Sequence, residues 1–210
     1  MVRELNHRAK NILQVIASVL VLEKNRANSE ETRAALDRAS GRLQMMAQVH
    51  AMLYLTGDET ERVDMRSYLT GLCRAVTDGL CPAVAKVEFD IGCDQLRWPV
   101  ETAGQLGLIV TEVLTNTCKH AFETGEDALI KVQLHKQDDD RFCLEISDNG
   151  KGFDGASTKG GVGTALLQAF AQTLKAELKV ESKPGDGTRV LVSLPKESTE
   201  PDINAMPGGT

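Results

Sequence analysis

Apolar residues at heptad spacing near the N-terminus constrain the fold of this chain most strongly. They advance by alternating steps of four and three residues, through Leu5, Ala9, Ile12, Ile16 and Val19. This spacing is typical of the seam of a coiled coil or a helical bundle, so the sequence predicts a first helix with an apolar stripe.

A second helix is predicted to begin at Asn28 and Ser29, which are capping residue types followed by Glu30 and Glu31. Its seam consists of Leu36, Ala39, Leu43, Met46, His50 and Leu53. A helical hairpin over residues 1–60 would have two apolar stripes and little to bury them against. We therefore expect a homodimer that forms a four-helix bundle, with a monomeric, capped hairpin as the alternative.

The rest of the chain predicts an α+β domain over residues 64–195, an α/β sandwich with helices on one face of a mixed sheet. The predicted helices are Asp64–Leu80, Pro99–Phe122 and Thr164–Leu174. The predicted strands are Lys86–Ile91, Ala128–Lys136, Arg141–Ser147, Glu177–Ser182 and Thr188–Leu194. Residues 196–210 are polar and contain Pro and Gly, so we expect a disordered tail.

The composition excludes several classes of protein. Lys and Arg total 24 against 30 Asp and Glu, and a net charge of −6 disfavours a nucleic-acid partner. No stretch approaches the roughly 18–20 apolar residues that span a bilayer, and the N-terminus is not a signal peptide. The five cysteines contain no C-x-x-C pair, which predicts free thiols in a reducing cytosol. The sequence thus predicts a cytoplasmic segment without membrane contact.

The long apolar helix carries Glu112, Asn116 and Lys119 at positions i, i+4 and i+7, which share one face. A carboxylate, an amide oxygen and an ammonium are costly to bury unless a ligand satisfies them. Mg²⁺ with phosphate would do so, since this ion takes few protein oxygens and keeps several waters. The alternative is a solvated polar face.

Two glycine-containing segments follow. Asp148-Asn149-Gly150-Lys151-Gly152 comes directly after a strand, where a carboxylate can accept a hydrogen bond from an exocyclic amine. The second segment opens a helix with Gly160, Gly161 and Gly163, where exposed backbone N–H groups can bind an anion. Each segment alone is also compatible with an ordinary turn or loop.

Together, these segments resemble the ATP-binding domain shared by histidine kinases, gyrase, Hsp90 and MutL, the Bergerat fold. Residues 112–120 correspond to its N box, 148–152 to its first glycine box and 160–163 to its second. The resemblance implies ATP and Mg²⁺ as cofactors. It also implies a set of nucleotide-binding residues: Glu112, Asn116, Lys119, His120, Asp148, Gly150, Gly152, Gly160, Gly161, Gly163 and Thr188.

The resemblance further implies individual roles. Asn116 would ligate the metal, and Glu112 would hold a metal-bound water or orient the site. Asp148 would read the adenine amine, and Lys119 would meet a phosphate. Thr188 would contact the base through water.

His7 is the candidate phosphoacceptor. It lies about 200° around the helix from Leu5 and from Ala9, on the outer face. Its helical neighbours are Glu4, Arg8, Lys10 and Asn11. The cations Lys10 and Arg8 could offset the charge of a phosphoryl group, and Glu4 could fix the ring tautomer.

The run from Glu4 to Gln14 resembles the phosphoacceptor box of a bacterial histidine kinase subfamily in which His-Arg-x-Lys-Asn replaces His-Glu. This implies a sensor histidine kinase core that phosphorylates His7 from Mg-ATP and passes the group to an aspartate of a response regulator receiver domain. Because Arg8 replaces the usual acidic neighbour, Glu4 is our hypothesis for the base. Six residues precede His7, so we expect the sensory input domain or subunit to be absent from this chain.

Two other functions fit parts of the sequence. A histidine phosphotransfer or scaffold protein with an inactive ATP domain predicts decayed glycine boxes and a lost Asn, yet Asn116, Asp148, Gly152 and Gly161 are present. An ATP-driven machine or a Ser/Thr kinase on the same fold would not need the His7 hairpin.

Overall fold

The computed structural model describes residues 2–56, 62–80, 86–137, 141–154 and 162–199. Within these ranges the backbone of residues 2–11 is described, but their side chains are not. The chain divides into two compact units, residues 1–56 and residues 57–210. Within the described ranges, no helix has the length and apolar character needed to cross a membrane.

The first unit is a hairpin of two long helices, α1 (Val2–Arg26) and α2 (Glu30–Thr56). The hydroxyl of Ser29 accepts a hydrogen bond from the backbone N–H of Thr32 at 3.1 Å, the geometry of an N-cap. The two helices meet at Ala17, which is buried, and the buried Ser40 hydroxyl donates to the Ala17 carbonyl at 3.4 Å.

The heptad residues of α1 whose side chains are described are largely exposed within the single chain. Ile12, Ile16 and Val19 are 58%, 42% and 49% exposed. Val15 and Leu22 are also exposed and extend the same side of the helix. We call these five residues the α1 stripe. A helix that contacts α2 through Ala17 must turn this stripe elsewhere, because the two sets of positions lie on different sides of α1.

The second unit is built on a five-stranded sheet with the order β2-β4-β5-β7-β6. Its strands are β2 (Lys86–Cys93), β4 (Asp127–Lys136), β5 (Arg141–Asp148), β6 (Glu177–Ser182) and β7 (Thr188–Pro195). Strand β2 runs parallel to β4, whereas the other neighbours are antiparallel. The sheet is therefore mixed, and the predicted fold class is confirmed.

Three helices pack with this sheet: α3 (Met65–Leu80), α4 (Val100–His120) and α5 (Val162–Thr173). Every second residue of the central strands is buried, as in Ile130, Val132 and Leu134 of β4. The alternate residues are more polar, and Arg189 on β7 contacts Glu145 on β5 at 2.6 Å. One face of the sheet thus forms the core with the helices, and the other face carries ion pairs.

The structure differs from the sequence predictions in two short strands and at the start of the C-terminal tail. Short strands β1 (Arg62–Asp64) and β3 (Arg97–Pro99) pair with each other, although neither was predicted. The predicted disordered tail begins too early. Lys196–Thr199 form a 3₁₀ turn, in which the Thr199 hydroxyl donates to the Lys196 carbonyl at 2.7 Å. Residues 200–210 lie outside the described part of the chain.

The cysteine prediction needs one correction. Cys118 on α4 is disulfide-bonded, whereas Cys73, Cys93 and Cys143 are free. Disulfide formation depends on how closely the fold brings two sulfurs together, and sequence spacing does not report that distance. Burial raises the pKa of the free thiols Cys73, to about 12, and Cys93, to about 11.

Candidate functional site

A cavity of about 430 Å³ opens where the C-terminal end of α4 meets the end of β5, the start of β7 and the start of α5. Its polar and glycine lining consists of Asn116, Thr117, His120, Asp148, Gly152, Gly163 and Thr188. Its apolar lining consists of Val113, Ala121, Phe153, Leu167, Val180 and Val190. A mostly apolar cleft with a few convergent polar groups is typical of a small-molecule site.

Asp148 is the centre of the polar groups in this cavity. Its Oδ1 accepts the backbone N–H of Gly150 at 3.0 Å and that of Thr188 at 3.2 Å. Its Oδ2 accepts the hydroxyl of Thr117 at 3.1 Å. The register of the sheet explains this arrangement, since Asp148 at the end of β5 lies opposite Thr188 at the start of β7.

Burial raises the pKa of Asp148, while the hydrogen bonds from Gly150, Thr117 and Thr188 lower it in part. The net shift is upward because desolvation of the carboxylate is the largest contribution. A carboxylate held at some electrostatic cost in a cavity has a stronger interaction with a donor that enters it.

The segment around Gly150 and Gly152 is fitted tightly between two other elements. The N–H of Lys151 donates to the carbonyl of Ala121, just after α4, at 2.8 Å. A Cβ on Gly150 would lie 2.5 Å from that Ala121 oxygen, and a Cβ on Gly152 would lie 2.0 Å from the carbonyl oxygen of Lys183. Both glycines are therefore required by close backbone contacts, and Gly152 alone of the two lines the cavity.

The predicted N-box residues lie in different surroundings along α4. Asn116 and His120 line the cavity, whereas its described lining does not include Glu112 or Lys119. Glu112 is only 6% exposed, whereas Lys119 is exposed. The helix face that these two residues share with Asn116 therefore begins in the core and ends at the surface. The burial of Glu112 argues against a fully solvated polar face.

The remaining predicted residues belong to the second glycine segment and to α1. Gly163 lines the cavity in the first turn of α5, where backbone N–H groups have no intrahelical acceptor. Gly160 and Gly161 lie outside the described residues. His7 and its neighbours Glu4, Arg8, Lys10 and Asn11 all lie within α1, and their side chains are not described.

Two hydroxyl residues of the site were not predicted from the sequence. Thr117 donates to Asp148, as described above. Ser182 accepts the N–H of Phe153 at 2.9 Å and donates to the carbonyl of Gly187 at 2.9 Å. The Thr188 hydroxyl lies 3.1 Å from the Ser182 hydroxyl and must be the donor, because the hydrogen of Ser182 is already committed. A threonine between Asn116 and Lys119 was the available sequence signal, but helices use threonine in many ways.

Comparison with known proteins places both units. The family described as "Histidine kinase" matches residues 4–79. The family described as "Histidine kinase-, DNA gyrase B-, and HSP90-like ATPase" matches residues 101–198. The first of these regions contains His7, and the second contains most of the cavity lining.

Individual relatives agree with these matches. The chain is 26% identical over 200 residues to Blue-light-activated histidine kinase 2 of Erythrobacter litoralis, covering 91% of this chain and 56% of that protein. It is 27% identical over 217 residues to the sensor histidine kinase PdtaS of Mycolicibacterium smegmatis, covering 92% of this chain and 39% of that protein. The chain thus spans between two fifths and just over half of these relatives' lengths.

A solved structure shares the fold. The histidine kinase domain of the Erythrobacter litoralis EL346 blue-light-activated histidine kinase has a TM-score of 0.65 at 24% identity. The match covers 90% of this chain and 97% of that domain.

The fold and the family match over residues 101–198 together define the class of protein: a nucleotide-binding domain of the ATPase type, preceded in the chain by a helical hairpin. The mixed sheet, the helix that carries Asn116 and the Asp148 segment are its components. With both matched regions present, the chain contains the catalytic core of a sensor histidine kinase, including its ATP-binding domain.

Proposed function

We propose that this protein binds Mg-ATP in the cavity around Asp148 and phosphorylates His7, and that a response regulator aspartate then receives the group. The observation that carries the proposal is the arrangement of Asp148 with three donors at the edge of a cavity that Asn116 also lines. An inactive ATP domain is the less favoured function, because Asn116, Asp148 and Gly152 are all retained.

The base would lie against the apolar lining with its exocyclic amine towards Asp148. Val113, Leu167 and Val190 provide that apolar lining from three different elements. The triphosphate would extend towards Asn116 and the first turn of α5, where free N–H groups favour negative charge. Lys119, exposed near the end of α4, would approach a phosphate oxygen.

The residues near Asn116 fit a magnesium ion that is held largely by phosphate oxygens and water. The described residues contain no group of three or more His, Cys, Asp or Glu that could hold a metal ion. Asn116, which lines the cavity, offers one amide oxygen, and so small a number of protein ligands suits Mg²⁺. Glu112, one helical turn earlier, would hold a metal-bound water or orient the site. When bound, the ion would neutralise charge on the transferred phosphoryl group.

The chemical step would be an in-line transfer from ATP to a ring nitrogen of His7. The new bond joins that nitrogen to the γ-phosphorus, and the bond between the γ-phosphorus and the bridging oxygen of ADP breaks. Glu4 is our hypothesis for the group that takes the ring proton. Lys10 and Arg8 would then balance the charge of the phosphorylated ring, and an aspartate of a receiver domain would accept the phosphoryl group.

The α1 stripe supports a homodimer as the assembly in which this occurs. The stripe has the heptad spacing of a bundle seam and is exposed in the single chain. A second copy with the same stripe would bury both and form a four-helix bundle.

Incubation with γ-labelled ATP tests the proposed function. We expect an acid-labile, alkali-stable label on the protein that disappears in His7→Ala. His135→Ala is the matched control, because His135 is an exposed imidazole on β4, and it should keep the label. Steady ATP turnover without labelled protein would favour an ATP-driven machine, and no nucleotide binding would favour a scaffold.

A further inference from the structure

Helix α4 contains threonines whose side chains make different kinds of hydrogen bonds. Thr111 donates to the carbonyl of Gly107 at 2.7 Å, and Thr115 donates to the carbonyl of Thr111 at 2.7 Å. These are the local bonds that threonine normally makes within a helix. Thr117 instead donates to the carboxylate of Asp148, on β5, at 3.1 Å.

The bond from Thr117 crosses from one element to another inside the cavity. Thr117 is 5% exposed, and both it and Asp148 line the cavity. The other carboxylate oxygen, Oδ1, is held by two backbone N–H groups, so Oδ2 is the oxygen whose position depends on a side chain. Without Thr117, this oxygen would have no donor among the described hydrogen bonds of Asp148.

The directions of these hydrogen bonds fix which groups the cavity can offer a ligand. The hydrogen of Thr117 is given to Asp148, and the hydrogen of Thr188 is given to Ser182. Both hydroxyls, like the ionised carboxylate, therefore have lone pairs and no hydrogen left for a ligand. This side of the cavity is composed of acceptors.

We propose that Thr117 is a positioning and specificity-determining residue, which holds Asp148 Oδ2 towards the base and keeps this edge of the cavity a pure acceptor. The inference rests on the proposed nucleotide site. An amine at position 6 of a purine has two hydrogens to donate and fits this edge. A carbonyl at that position has none and would face acceptors, so nucleotides with guanine or hypoxanthine are rejected.

The test compares two ligands that differ in one group: ATP, and purine riboside triphosphate, which has hydrogen in place of the amine. Calorimetry measures the affinity of each for the full chain and for Thr117→Val, Thr117→Ser and Thr115→Val. The Val substitution removes the hydroxyl but keeps the shape, Ser keeps the hydroxyl, and Thr115→Val makes the same chemical change on the same helix outside the cavity.

Thr117→Val should weaken ATP binding by about tenfold, the usual effect of losing one hydrogen bond to a charged group, and change purine riboside triphosphate binding by less than about twofold. Thr117→Ser should retain the wild-type preference between the two ligands, and Thr115→Val should affect neither. Equal weakening of both ligands by Thr117→Val would show a merely structural role and overturn the inference, as would unchanged ATP binding.

Two further measurements separate this inference from the proposed function. If the wild-type chain does not bind ATP, or if Asp148→Asn does not reduce its preference for ATP, the nucleotide site itself is refuted. If both behave as expected and Thr117→Val has no ligand-dependent effect, the role of Thr117 alone is refuted. If the Thr117→Val variant does not fold, Thr117→Ala removes the same hydroxyl. The ratio of the affinities for ATP and purine riboside triphosphate within one variant is insensitive to a partial loss of stability.

Discussion

Asp148 is held at an electrostatic cost in the empty fold, and in our proposal the same carboxylate favours nucleotide binding. Burial raises the pKa of its carboxyl group above the ordinary value, despite the three hydrogen bonds that it accepts. In the pH range between the ordinary and the raised pKa, the folded chain binds more protons than the unfolded chain. The stability that this group contributes is therefore full at low pH and is lost as pH rises through the raised pKa.

Asp148→Asn should remove this pH dependence and weaken ATP binding at neutral pH by about tenfold or more, because the amide places a donor where the base also has one. Thermal unfolding of the empty protein, measured at several pH values, checks the first effect. The stability of the variant should increase relative to that of the wild type as pH rises from the acid range.

Asp90→Asn is the matched control, since Asp90 is an exposed carboxylate on β2 whose contact with Lys131 spans 4.0 Å. It should leave both properties almost unchanged. A stability difference between wild type and Asp148→Asn that stays constant across pH would contradict the assignment of the raised pKa.

The sequence indicated part of this residue-level arrangement. The Asp148 segment could be predicted, because a carboxylate followed by closely spaced glycines after a strand is a recognisable pattern. Thr117 could not, because α4 contains four threonines, of which Thr111 and Thr115 make local bonds and Thr117 makes a long-range bond. The difference depends on where β5 ends relative to α4, which the helix sequence does not contain.

At the scale of elements, the turn between β6 and β7 determines the position of the Asp148 segment. Gly152 has φ = +58°, and a Cβ there would lie 2.0 Å from the Lys183 oxygen and 2.7 Å from the Gly187 oxygen. Both of these are backbone atoms, so relief requires that the turn move away from the segment.

Gly152→Ala should therefore destabilise the protein by about 3 kcal/mol through left-handed strain and overpacking, and should reduce ATP binding. Gly185→Ala is the control: its φ is +86°, yet an added Cβ meets nothing within 4 Å. It should cost about 1–2 kcal/mol of strain and leave binding intact. Urea unfolding and calorimetric titration measure the two effects, and equal losses in both variants would refute the contact argument.

In our proposal, the α1 stripe packs against the same stripe of a second copy of the chain. Replacing both Ile16 and Val19 by Lys should convert the dimer to a monomer, because two buried side chains in each of two copies contribute about 6 kcal/mol or more to association. Light scattering after size exclusion measures the mass.

Asn25→Lys adds one of the same charges at an exposed position about 120° around the helix from Val19, and it should not change the mass. A wild-type chain that is monomeric at every concentration would exclude the proposed interface. The heptad pattern predicted the stripe, but not which side of α1 contacts α2, since Ala17 carries too little apolar surface to mark a seam.

The short strands and the parallel pair were the elements least accessible to sequence patterns. β1 and β3 each have three residues, too few to show alternation, and they pair across more than thirty residues of chain. The parallel pairing of β2 with β4 depends on the long connection through α4, which lies between them in the chain. Most of the strands could be predicted from their own residues, whereas the order of the strands in the sheet could not.

At the scale of the whole molecule, the chain consists of two compact units with different sources of stability. The residues 57–210 unit has its own core of sheet and helices, in which Leu106, Ile109 and Leu144 are fully buried. The hairpin leaves its α1 stripe exposed and depends on a second copy in our proposal. The two units should therefore respond to different variables: one to nucleotide, the other to protein concentration.

Differential scanning calorimetry should show two transitions. A nonhydrolysable ATP analogue with Mg²⁺ at about one hundred times its dissociation constant adds about 2.7 kcal/mol to the unit that binds it, which raises that Tm by roughly 5–10 °C. The hairpin transition should keep its temperature on addition of nucleotide and rise with protein concentration, because its unfolding includes dissociation. Asp148→Asn should reduce the first response to about half or less and retain the second, whereas the Lys variants of the α1 stripe should retain the first response and lose the second. A single transition that shifts with both nucleotide and protein concentration would mean that the hairpin and the nucleotide-binding unit unfold together. Nucleotide binding at Asp148 would then also stabilise the helix that carries His7.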